Sequence, residues 1–509
     1  MNRNLYAILF EKFSSHIDQP CLVTDERIWS YGDIDAEASR MAGVIRAGGV
    51  EPGDRIVVQV EKSAEAVALY LACLRTGAIF IPLNTAYTPA EVGYFLGDAE
   101  PALFVCTPQN LAHYEDGKGA YTPAMILTLD EVGGGTLMER AGEAHPVTDI
   151  LQCSDDDLAA ILYTSGTTGR SKGAMLSHGN LSSNALTLVD FWGFEEGDVL
   201  LHALPIFHVH GLFVALHCAM LNASPMLFLP KFDVGEVRAA LPNATVMMGV
   251  PTFYTRLMDQ KDFDRQECAH MRLFISGSAP LTAQAHEAFE ARTGHRILER
   301  YGMTEAGMIT SNPNDGERIA GTVGFALPGI EVRVHNEKGE RVYDDVGTIQ
   351  VRGPNIFKGY WRMPEKTAEE FTADGFFITG DLGTQAEDGR VAIVGRGKDL
   401  IISGGYNIYP KEIESVLDNV EGVVESAVIG TTHADFGEGV VAVIATRDGK
   451  PLDIEKLQAT VGAELARFKH PRAWRFVEAL PRNTMGKVQK NMLRERYDDA
   501  FTSPGDGGF

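Results

Sequence analysis

The sequence predicts an α/β fold in which mostly parallel sheets carry helices on their faces, followed by a β-rich part and a small α+β unit. Three observations indicate this architecture. Helical and strand patterns alternate from residue 30 to 110 and recur further along the chain. After about residue 320, hairpin patterns replace the alternation. The last hundred or so residues mix short strands with helices. Alternation of the first kind is typical of parallel sheets covered by helices.

The elements of the first part follow from local patterns. Residues 64 to 77 (AEAVALYLACLRTG) have helical composition and end on Gly77, a natural C-cap. A buried strand (AIFIPLN) and a second helix (PAEVGYFLGDA) are expected next. Further strands of the same sheets are expected at LAAILYT, LLHALPI, ATVMMGV and RLFISGS.

The elements of the second half are of a different kind. Two hairpins are expected, with turns at Lys338-Gly339 and Asp388-Gly389. In the last unit a helix should begin near Pro410, and strands should lie at ESAVIG, VVAVIAT and AWRFVE. Another helix should cover residues 453 to 467. The segment GRGKDLIISGG, residues 395 to 405, separates this unit from the rest of the chain.

Composition and charge exclude several classes of protein. The formal net charge of −24 repels phosphate backbones, so we expect no nucleic-acid partner. The six cysteines contain no C-x-x-C pair, which argues against a zinc ribbon and favours a reducing compartment. Residues 203 to 230 lack charge and are long enough to span a bilayer, but their histidines and prolines favour a buried core segment. We therefore expect a soluble, cytoplasmic protein with no membrane segment.

One loop has the chemistry of a phosphate site. The strand LAAILYT runs into TSGTTGRSKG, residues 164 to 173, which combines glycines, hydroxyls and two cations. Glycines let backbone N–H groups approach an anion, while hydroxyls and cations bind and neutralise it. The loop is not a Walker A motif, because Lys172 is followed by Gly173 and not by Ser or Thr. The alternative is a flexible surface loop without function.

The loop and five further stretches resemble the adenylate-forming superfamily of acyl-CoA synthetases, luciferases and adenylation domains. The stretches agree in order and spacing, and together they span nearly the whole chain: ISGSAPL, YGMTE, TGD, GRGKDLIISGGYNIYPKEIE and LPRNTMGKVQK. The resemblance implies an N-terminal domain, residues 1–397, that binds ATP and the acyl group. It also implies a hinge and a small mobile C-terminal domain, residues 398–500, that carries a catalytic lysine. Residues 501–509 are expected to form a disordered tail.

The reaction that the resemblance implies has two steps. A carboxylate first attacks the α-phosphorus of ATP to give an acyl-AMP and pyrophosphate, with Mg²⁺ as the metal cofactor. The small domain then rotates about Lys398, and a thiol displaces AMP. The catalytic residues implied are Lys487, Glu305 and Thr304. Glu305 and the Thr164 hydroxyl would hold Mg²⁺, which takes hard oxygen ligands.

The resemblance also implies a set of nucleotide contacts. Asp381 would accept hydrogen bonds from the ribose hydroxyls, with Arg396 nearby, and Lys487 would reach the α-phosphate and the attacking carboxylate. A cation placed there would stabilise the charge that develops in the transition state. Read without the motifs, Asp381 and Lys487 could each be ordinary solvated residues. The full set of ATP-binding residues implied is Thr164, Ser165, Gly166, Thr167, Thr168, Gly169, Lys172, Ser276, Gly277, Ala279, Glu299, Tyr301, Gly302, Met303, Thr304, Asp381 and Arg396.

Coenzyme A is the expected second substrate. Residues 467 to 496 carry nine Lys or Arg and two Glu, a basic stretch that could guide the CoA phosphates or could be an ordinary solvated surface. The two histidines in LPIFHVHGLF lack a third ligand at metal spacing, so we expect no metal there. By resemblance, His208 would gate the pantetheine tunnel, although it could be a core histidine. Gly404, Gly405 and Tyr406 would line the pantetheine path.

Arg300 decides which acid is expected. Many members of the superfamily carry a small residue directly before Tyr-Gly, at the border of the acyl pocket. A buried cation whose partner is missing costs about 3–5 kcal/mol, and neither neighbouring glutamate is free to pair with it. A substrate with a second carboxylate would supply the partner, and arginine grips a carboxylate bidentately. ERYGMTE also resembles the form found in malonyl-CoA synthetases, in which Arg256 looks like a second arginine, and Ser278 could add a hydroxyl donor.

Malonate, ATP and CoA are therefore the expected small-molecule substrates. The alternatives are a ligase for another short acid (methylmalonate, succinate, acetate or propionate), an adenylating protein that loads a carrier protein, and a non-catalytic nucleotide sensor. Arg300 could also be a structural salt-bridge residue. Acetylation of the Gly-Lys lysine occurs in this superfamily, so a protein lysine acetyltransferase that acts on Lys487 is a candidate partner.

Overall fold

The structure, a computed structural model, describes residues 2–115, 121–164, 171–403, 406–433, 436–465, 467–483 and 486–501. Its strands are β1 Pro20–Val23, β2 Ile28–Ser30, β3 Arg55–Gln59, β4 Ile79–Pro82, β5 Leu103–Cys106, β6 Met125–Thr128, β7 Leu158–Thr164, β8 Lys172–Ser177, β9 Leu200–His202, β10 Met226–Phe228, β11 Val246–Gly249, β12 Leu273–Ser276, β13 Leu298–Met303, β14 Gly307–Ser311, β15 Phe325–Ala326, β16 Glu331–His335, β17 Gly347–Arg352, β18 Phe377–Gln385, β19 Val391–Arg396, β20 Ile401–Ser403, β21 Tyr406–Ile408, β22 Glu425–His433, β23 Gly437–Ala445 and β24 Ala473–Val477.

The helices lie between these strands. They are α1 Leu5–Phe13, α2 Tyr31–Ala47, α3 Ala64–Thr76, α4 Pro89–Ala99, α5 Ala112–Glu115, α6 Thr136–Glu143, α7 His178–Phe191, α8 His217–Leu221, α9 Val234–Ala240, α10 Pro251–Met258, α11 Ala283–Thr293, α12 Pro364–Glu369, α13 Pro410–Leu417, α14 Ile454–Glu464 and α15 Lys490–Arg496. A π-helical segment, His210–Leu216, leads directly into α8.

The first sheet has the strand order β6-β5-β3-β4-β7-β8. Its pairs are parallel, except that β7 and β8 run antiparallel on either side of the phosphate loop. β4 and β5 are buried along their whole length, as expected for strands covered on both faces. The predicted helix is α3, which ends at Gly77 in the left-handed conformation with φ 77°. The expected βα alternation is therefore confirmed in this sheet.

The second sheet has the strand order β15-β14-β13-β12-β11-β9-β10-β1-β2. The pairs from β13 to β1 are parallel, and the pairs at both edges are antiparallel. Gly249 of β11 pairs with Ser276 of β12, and Ser276 pairs with Glu299 of β13. The carboxyl ends of these three strands therefore meet at one edge, the place where α/β sheets bind ligands.

The charge-free segment of residues 203 to 230 is part of the core of this domain. It forms the π-helix, α8 and β10, and the side chains of the π-helix and α8 are all buried. In the part of the chain that the structure describes, no helix is long and apolar enough to cross a membrane. The prediction of a buried core segment is confirmed.

A β-rich subdomain and a separate C-terminal unit complete the fold. The subdomain is an antiparallel sheet of order β16-β17-β18-β19, and its predicted turns place Gly339 at φ 78° and Gly389 at φ 93°. The C-terminal sheet has the order β21-β20-β23-β22, with β24 parallel to β23. Helices α13 and α14 pack on one of its faces and α15 on the other. The predicted fold class is confirmed.

Two details of the C-terminal unit differ from the predictions. α14 ends at Glu464, because the backbone of Leu465 is extended and Arg467–Lys469 form a 3₁₀ turn. Phe501 packs on the sheet: a Cβ added to Gly439 would lie 2.3 Å from its ring, and the ring also contacts His433. The remainder of the expected disordered tail, residues 502–509, lies outside the described residues.

Candidate active site

Asp381 and Arg396 form a pair next to Tyr301, as the sequence led us to expect. β18 and β19 place Asp381 opposite Arg396 in register, and Arg396 Nε lies 2.6 Å from Asp381 Oδ1. The Tyr301 hydroxyl donates a hydrogen bond of 2.5 Å to Asp381 Oδ2. Burial and the Asp381 charge raise the pKa of Tyr301 well above its ordinary value. Three elements thus converge on one buried carboxylate that can accept hydrogen bonds from a sugar.

Glu305 and Thr164 lie together although they are far apart in sequence. Glu305 is buried in the turn between β13 and β14, and its Oε1 accepts from the Thr164 hydroxyl at 3.3 Å. The same oxygen accepts from the Tyr360 hydroxyl at 3.2 Å. Burial raises the pKa of Glu305. Thr304, the preceding residue, lines a small cavity that Asn355 also lines.

Lys172 stands at the start of β8, opposite Thr164 at the end of β7. Its Nζ lies 3.3 Å from Glu370 Oε1 and 4.0 Å from the centre of the Tyr360 ring. The ammonium group is therefore held beside the carboxyl group of Glu305. The rest of the predicted phosphate loop, Ser165, Gly166, Thr167, Thr168 and Gly169, lies outside the described residues.

The adenine side of the predicted site is formed by the ends of β12 and β13. Ser276, Gly277 and Ala279 follow one another there, and Gly302 and Met303 end β13 at the hairpin into β14. The carbonyl of Glu299 accepts from the Asn312 N–H and side-chain amide, at 3.1 and 2.9 Å, so both of its lone pairs are used. The Glu299 side chain accepts from Leu281 N–H at 3.2 Å, and burial raises its pKa to about 8.

Lys487 projects from a short hairpin against the N-terminal part of the chain. The Lys487 N–H donates to Asn483 Oδ1 at 2.9 Å, and a Cβ at Gly486 would lie 3.1 Å from Thr252 Oγ1. Desolvation, then the positive charge of Arg396, lowers the pKa of Lys487 to about 8, while Asp381 raises it. The lysine is thus close enough to the Asp381 and Arg396 pair for both charges to affect its pKa.

Lys398, the predicted hinge residue, lies between the β-rich subdomain and the C-terminal sheet. Lys398 is exposed in the turn Gly397–Asp399, between β19 of the subdomain and β20 of the C-terminal sheet. Asp399 binds Arg494 of α15 through a contact of 2.7 Å. Gly404 and Gly405 lie outside the described residues, and Tyr406 begins β21, where only its backbone is described.

Arg300 is buried, with 3% of its surface exposed, and lies close enough to the π-helix for its charge to act on His210. A Cβ at Gly277 would lie 2.4 Å from the guanidinium carbon, so only glycine leaves room for the side chain there. Within the described ranges, Arg300 Nε and Nη2 have no hydrogen-bond partner. Burial lowers the pKa of Arg300 to about 10, so it keeps its charge at neutral pH.

Two histidines and a serine surround this guanidinium. Ser278, held at φ 71°, places its hydroxyl 3.3 Å from His210 Nδ1. His210 Nε2 is buried and has no partner among the residues that the structure covers. Burial and the Arg300 charge lower the pKa of His208 to about 4 and that of His210 well below its ordinary value. Both imidazoles are therefore neutral. Among the described residues of this cluster, the only charge is that of the Arg300 guanidinium, whose Nε and Nη2 have unused donor capacity.

Arg256 is placed differently from the prediction. It is exposed on α10, two residues after the buried Tyr254, whose pKa is raised by burial while the charge of Arg300 acts in the opposite direction. Residues two positions apart on a helix do not share a face. The helical phase therefore turns Arg256 away from the side that faces Arg300, and the structure does not bring the two arginines together.

The residues present fit a divalent cation next to the phosphate loop. A buried carboxyl group and a hydroxyl, those of Glu305 and Thr164, lie 3.3 Å apart and offer the hard oxygen donors that Mg²⁺ prefers. Burial raises the pKa of Glu305 although Arg396 and Lys172 lie near it, and a bound cation would further stabilise its ionised form. Over the described residues, no three His, Cys, Asp or Glu side chains come together as a protein-only metal site.

Comparisons with known proteins identify the family. Residues 9–361 match the model of the AMP-binding enzyme family, and residues 412–487 match the model of the AMP-binding enzyme C-terminal domain. The chain belongs to the AMP-binding enzymes. The malonate–CoA ligase of Arabidopsis thaliana is 35% identical to it, over 97% of this chain and 89% of that protein.

Solved structures agree with this assignment. The crystal structure of ATP-bound MatB from Rhodopseudomonas palustris is 53% identical and superposes with a TM-score of 0.95, covering 98% of this chain and 100% of that one. The apo form of the same protein, with the same coverage and identity, superposes with a TM-score of 0.84. Over the whole chain, this AMP-binding enzyme is therefore closer to the ATP-bound structure than to the apo structure.

Two residues of the site were missed in the sequence. The sequence indicates His210 only as one half of an H-x-H pair, and its hydrogen bond with Ser278 joins positions 68 apart. Tyr360 lies in FKGYWRMPE, which carries no periodic or charge signal. A second histidine in a charge-free segment is a sequence feature that could have marked His210 as a site residue. No such local feature marks Tyr360.

Proposed function

We propose that this AMP-binding enzyme joins malonate to coenzyme A with ATP, through a malonyl-AMP intermediate, and releases AMP and pyrophosphate. The observation that supports malonate is the buried Arg300, with two guanidinium nitrogens that lack a partner among the described residues. A buried unpaired charge costs several kcal/mol, so the pocket suits an acid that brings its own second carboxylate. The likeness to malonate–CoA ligases along nearly the whole chain supports the same substrate.

The distal carboxylate of malonate would be bound by three donors. Arg300 can offer Nε and Nη2 to one carboxylate in the bidentate arrangement that arginine favours. If the Ser278 hydroxyl donates to His210 Nδ1, the neutral imidazole carries its proton on Nε2, where it can donate to the same carboxylate. A monocarboxylic acid would leave these donors unused, which is how such a site rejects acetate or propionate.

The reacting carboxylate and the nucleotide would meet at the carboxyl ends of β12 and β13. We propose that Asp381 accepts from the ribose hydroxyls, that Lys172 binds the leaving phosphates, and that Thr304 donates to the α-phosphate. Lys487 would bind the α-phosphate and the attacking carboxylate, where negative charge builds up. Mg²⁺, held by Glu305 and Thr164, would neutralise phosphate charge when it is bound.

The second step would use another arrangement of the same parts. We propose that residues 1–397 and 398–500 act as two domains and that rotation about Lys398 replaces the Lys487 hairpin by the β20–β21 segment. His208 would gate the pantetheine tunnel, and Gly404, Gly405 and Tyr406 would line it. In support, Gly486 of the Lys487 hairpin lies close to Thr252 in this structure, as an arrangement for the first step would require.

A panel of acids tests the proposed function. Malonate, methylmalonate, succinate, acetate and a medium-chain acid would be compared by AMP formation with and without CoA. We expect malonate to have the highest kcat/KM and AMP release to depend on CoA. A preference for another acid would overturn the malonate assignment alone. AMP release that needs no CoA, or that needs a carrier protein, would overturn the ligase assignment.

Lys487 also supports a proposal about regulation by acetylation and about the cellular compartment. It lies on a hairpin, and with a pKa of about 8 a sizeable fraction of its amine is neutral near pH 7.5. A neutral amine is the form that accepts an acyl group, so a protein lysine acetyltransferase is a candidate partner in the cytoplasm, the compartment that the cysteine usage favours. Mass spectrometry of the protein from cells, with Lys487→Gln as an acetyl mimic in the adenylation assay, tests this.

A further inference from the structure

A short segment joins the two halves of the nucleotide site. Residues 357 to 361 run antiparallel to β8: Lys358 N–H donates to the Met175 carbonyl, Met175 N–H to Gly359, and Trp361 N–H to Gly173, at 2.8 to 2.9 Å. At its other end, Phe357 N–H donates to the backbone carbonyl of Glu305 at 2.8 Å. The segment is therefore fixed to the strand that follows the phosphate loop and to the turn that carries Glu305.

Tyr360 is the residue of this segment that touches both halves with its side chain. It is buried, with 3% exposure, so its hydroxyl needs a partner, and that partner is Glu305 Oε1 at 3.2 Å. The face of its ring lies 4.0 Å from the Lys172 ammonium, within the range of a cation–π contact. One side chain thus binds the carboxylate proposed for the metal and the cation proposed for the phosphates.

We propose that Tyr360 is a positioning residue for Mg·ATP, which orients Glu305 through its hydroxyl and holds Lys172 over its ring. This inference rests on the proposed function, because it uses the roles given there to Glu305 and Lys172. The hydroxyls of Tyr360 and Thr164 both donate to Glu305 Oε1, so in this proposal Oε2 is the oxygen that would bind the cation. Partners that orient a metal-binding carboxylate in this way commonly change metal affinity about 10- to 100-fold when removed.

Lys172 is held by a cation–π contact with Tyr360 as well as by its ion pair with Glu370. Glu370 is also bound by Lys366, at 3.2 Å, so its charge is shared between two ammonium groups. The Tyr360 ring supports Lys172 from another side without neutralising it, which leaves a full positive charge for phosphate. A purely structural tyrosine would instead act through its contact with Phe357, whose ring centre is 4.9 Å away.

Two substitutions of Tyr360 separate the contribution of its hydroxyl from that of its ring. Tyr360→Phe keeps the ring and removes only the bond to Glu305, whereas Tyr360→Leu removes both contacts. A matched control is Phe371→Leu, because Phe371 packs on Phe357 in the same aromatic cluster, and its ring contacts are with Phe357 and Phe377. ATP affinity would be measured by calorimetry with saturating Mg²⁺ and with EDTA, and malonate KM by malonate-dependent pyrophosphate exchange.

The expected result has a distinct pattern. Tyr360→Phe should weaken ATP binding about 10-fold or more in Mg²⁺ and little in EDTA. Tyr360→Leu should in addition weaken binding in EDTA, by about 2- to 30-fold, through Lys172. Malonate KM should change less than twofold in Tyr360→Phe, and Phe371→Leu should bind ATP like the wild type.

Three outcomes would overturn the inference. The first is that Tyr360→Phe binds Mg·ATP as tightly as the wild type. The second is that this variant loses ATP affinity equally with Mg²⁺ and with EDTA, and the third is that Phe371→Leu loses the same ATP affinity. The calorimetric measurement needs no malonate. If the wild type binds Mg·ATP but shows no malonate-dependent exchange, the proposed substrate is wrong while the role of Tyr360 is still decided.

Discussion

At the scale of single residues, the site depends on charges that have no protein counterpart. Arg300 keeps a positive charge in the core, yet the described part of the chain offers two of its nitrogens no acceptor. A folded protein tolerates such a group only if something else compensates for it. The second carboxylate of malonate is the simplest compensation, and it makes substrate choice a property of one guanidinium group.

Replacement of Arg300 should therefore change specificity more than stability. Truncation of one side of a buried charge pair costs about 2–5 kcal/mol, so Arg300→Ala should lower kcat/KM for malonate roughly 30- to 5000-fold. Propionate has no distal carboxylate and should lose little, or gain, because the unpaired cation is gone. The ratio of the two values of kcat/KM is the measurement, and it is insensitive to a general loss of folded enzyme. Equal losses for both acids would mean that Arg300 is structural.

Lys487 should act in the first step only. Lys487→Ala should slow adenylation about 100-fold or more, as removal of an oxyanion donor does, and largely spare the conversion of supplied malonyl-AMP and CoA to the thioester. Each half-reaction would be measured separately. Parallel loss of both would contradict the assigned role.

The lowered pKa of Lys487 predicts a pH limit for the same step. Its ammonium form is needed, and in the free enzyme that form disappears as the pH rises through about 8. The kcat/KM of adenylation, which reports the free enzyme, should fall above that pH. The guanidinium of Lys487→Arg stays protonated, so its profile should remain flat to higher pH. An unchanged alkaline limb in Lys487→Arg would assign the limb to another group.

At the scale of elements, β13 serves both substrates. Side chains alternate along a strand, so Arg300 points to the acyl side while Glu299 and Tyr301 point to the other face. Tyr301 binds Asp381 there, and Glu299 caps Leu281 N–H at the end of the β12 loop. A shift of β13 by one residue would exchange the two faces, which is why its parallel register with β12 matters for function.

Glu299 should make the stability of the protein depend on pH. Its pKa is about 8 in the folded protein, above the ordinary value of 4.5, so the folded state binds more protons than the unfolded state between these limits. The free energy of unfolding should therefore fall as the pH rises from about 4.5 to 8, by at most about 1.4 kcal/mol per pH unit from this group. Glu299→Gln should remove that part of the slope. Thermal unfolding at pH 5.5 and 8.5 for both proteins is the measurement, and identical slopes would refute it.

At the scale of the whole molecule, the two parts of the chain meet at the site. The Lys487 hairpin of the C-terminal part contacts Thr252 of the N-terminal part, and the overall arrangement resembles the ATP-bound relative more than its apo form. The link between them is short, since β19 ends at Arg396 and β20 begins at Ile401. A rotation that brings another segment to the site must be absorbed by these few residues.

Proline in this link should separate the two half-reactions. It fixes φ and removes a backbone donor, so Lys398→Pro should still form malonyl-AMP and lose thioester formation by about 100-fold or more. Lys398→Ala is the matched control and should perform both steps, because the side chain is exposed. Normal overall turnover in Lys398→Pro would remove domain rotation from the mechanism. Loss of both steps in Lys398→Pro alone would point to misfolding.

Much of the fold and part of the site could be predicted because they depend on neighbours in sequence. The helix at α3 ends at Gly77 through a left-handed cap, and the hairpins turn at glycines with positive φ, both local requirements. The roles given to the phosphate loop and to Lys487 stay predictions. Asp381 and Arg396 were expected to lie close together from the resemblance to the superfamily, and the pairing of β18 with β19 brings them together.

Tertiary structure alone decided which distant side chains meet. His210 reaches Ser278, and Tyr360 reaches Glu305 and Lys172, only because strand order brings separate segments to one edge. The phase of a short helix turned Arg256 outward, although its sequence context did not distinguish it from a pocket residue. The sequence by itself determined the charges and motifs of this protein. Burial and the order of the strands decided which of those charges lack a partner, because both depend on contacts between residues far apart in the chain.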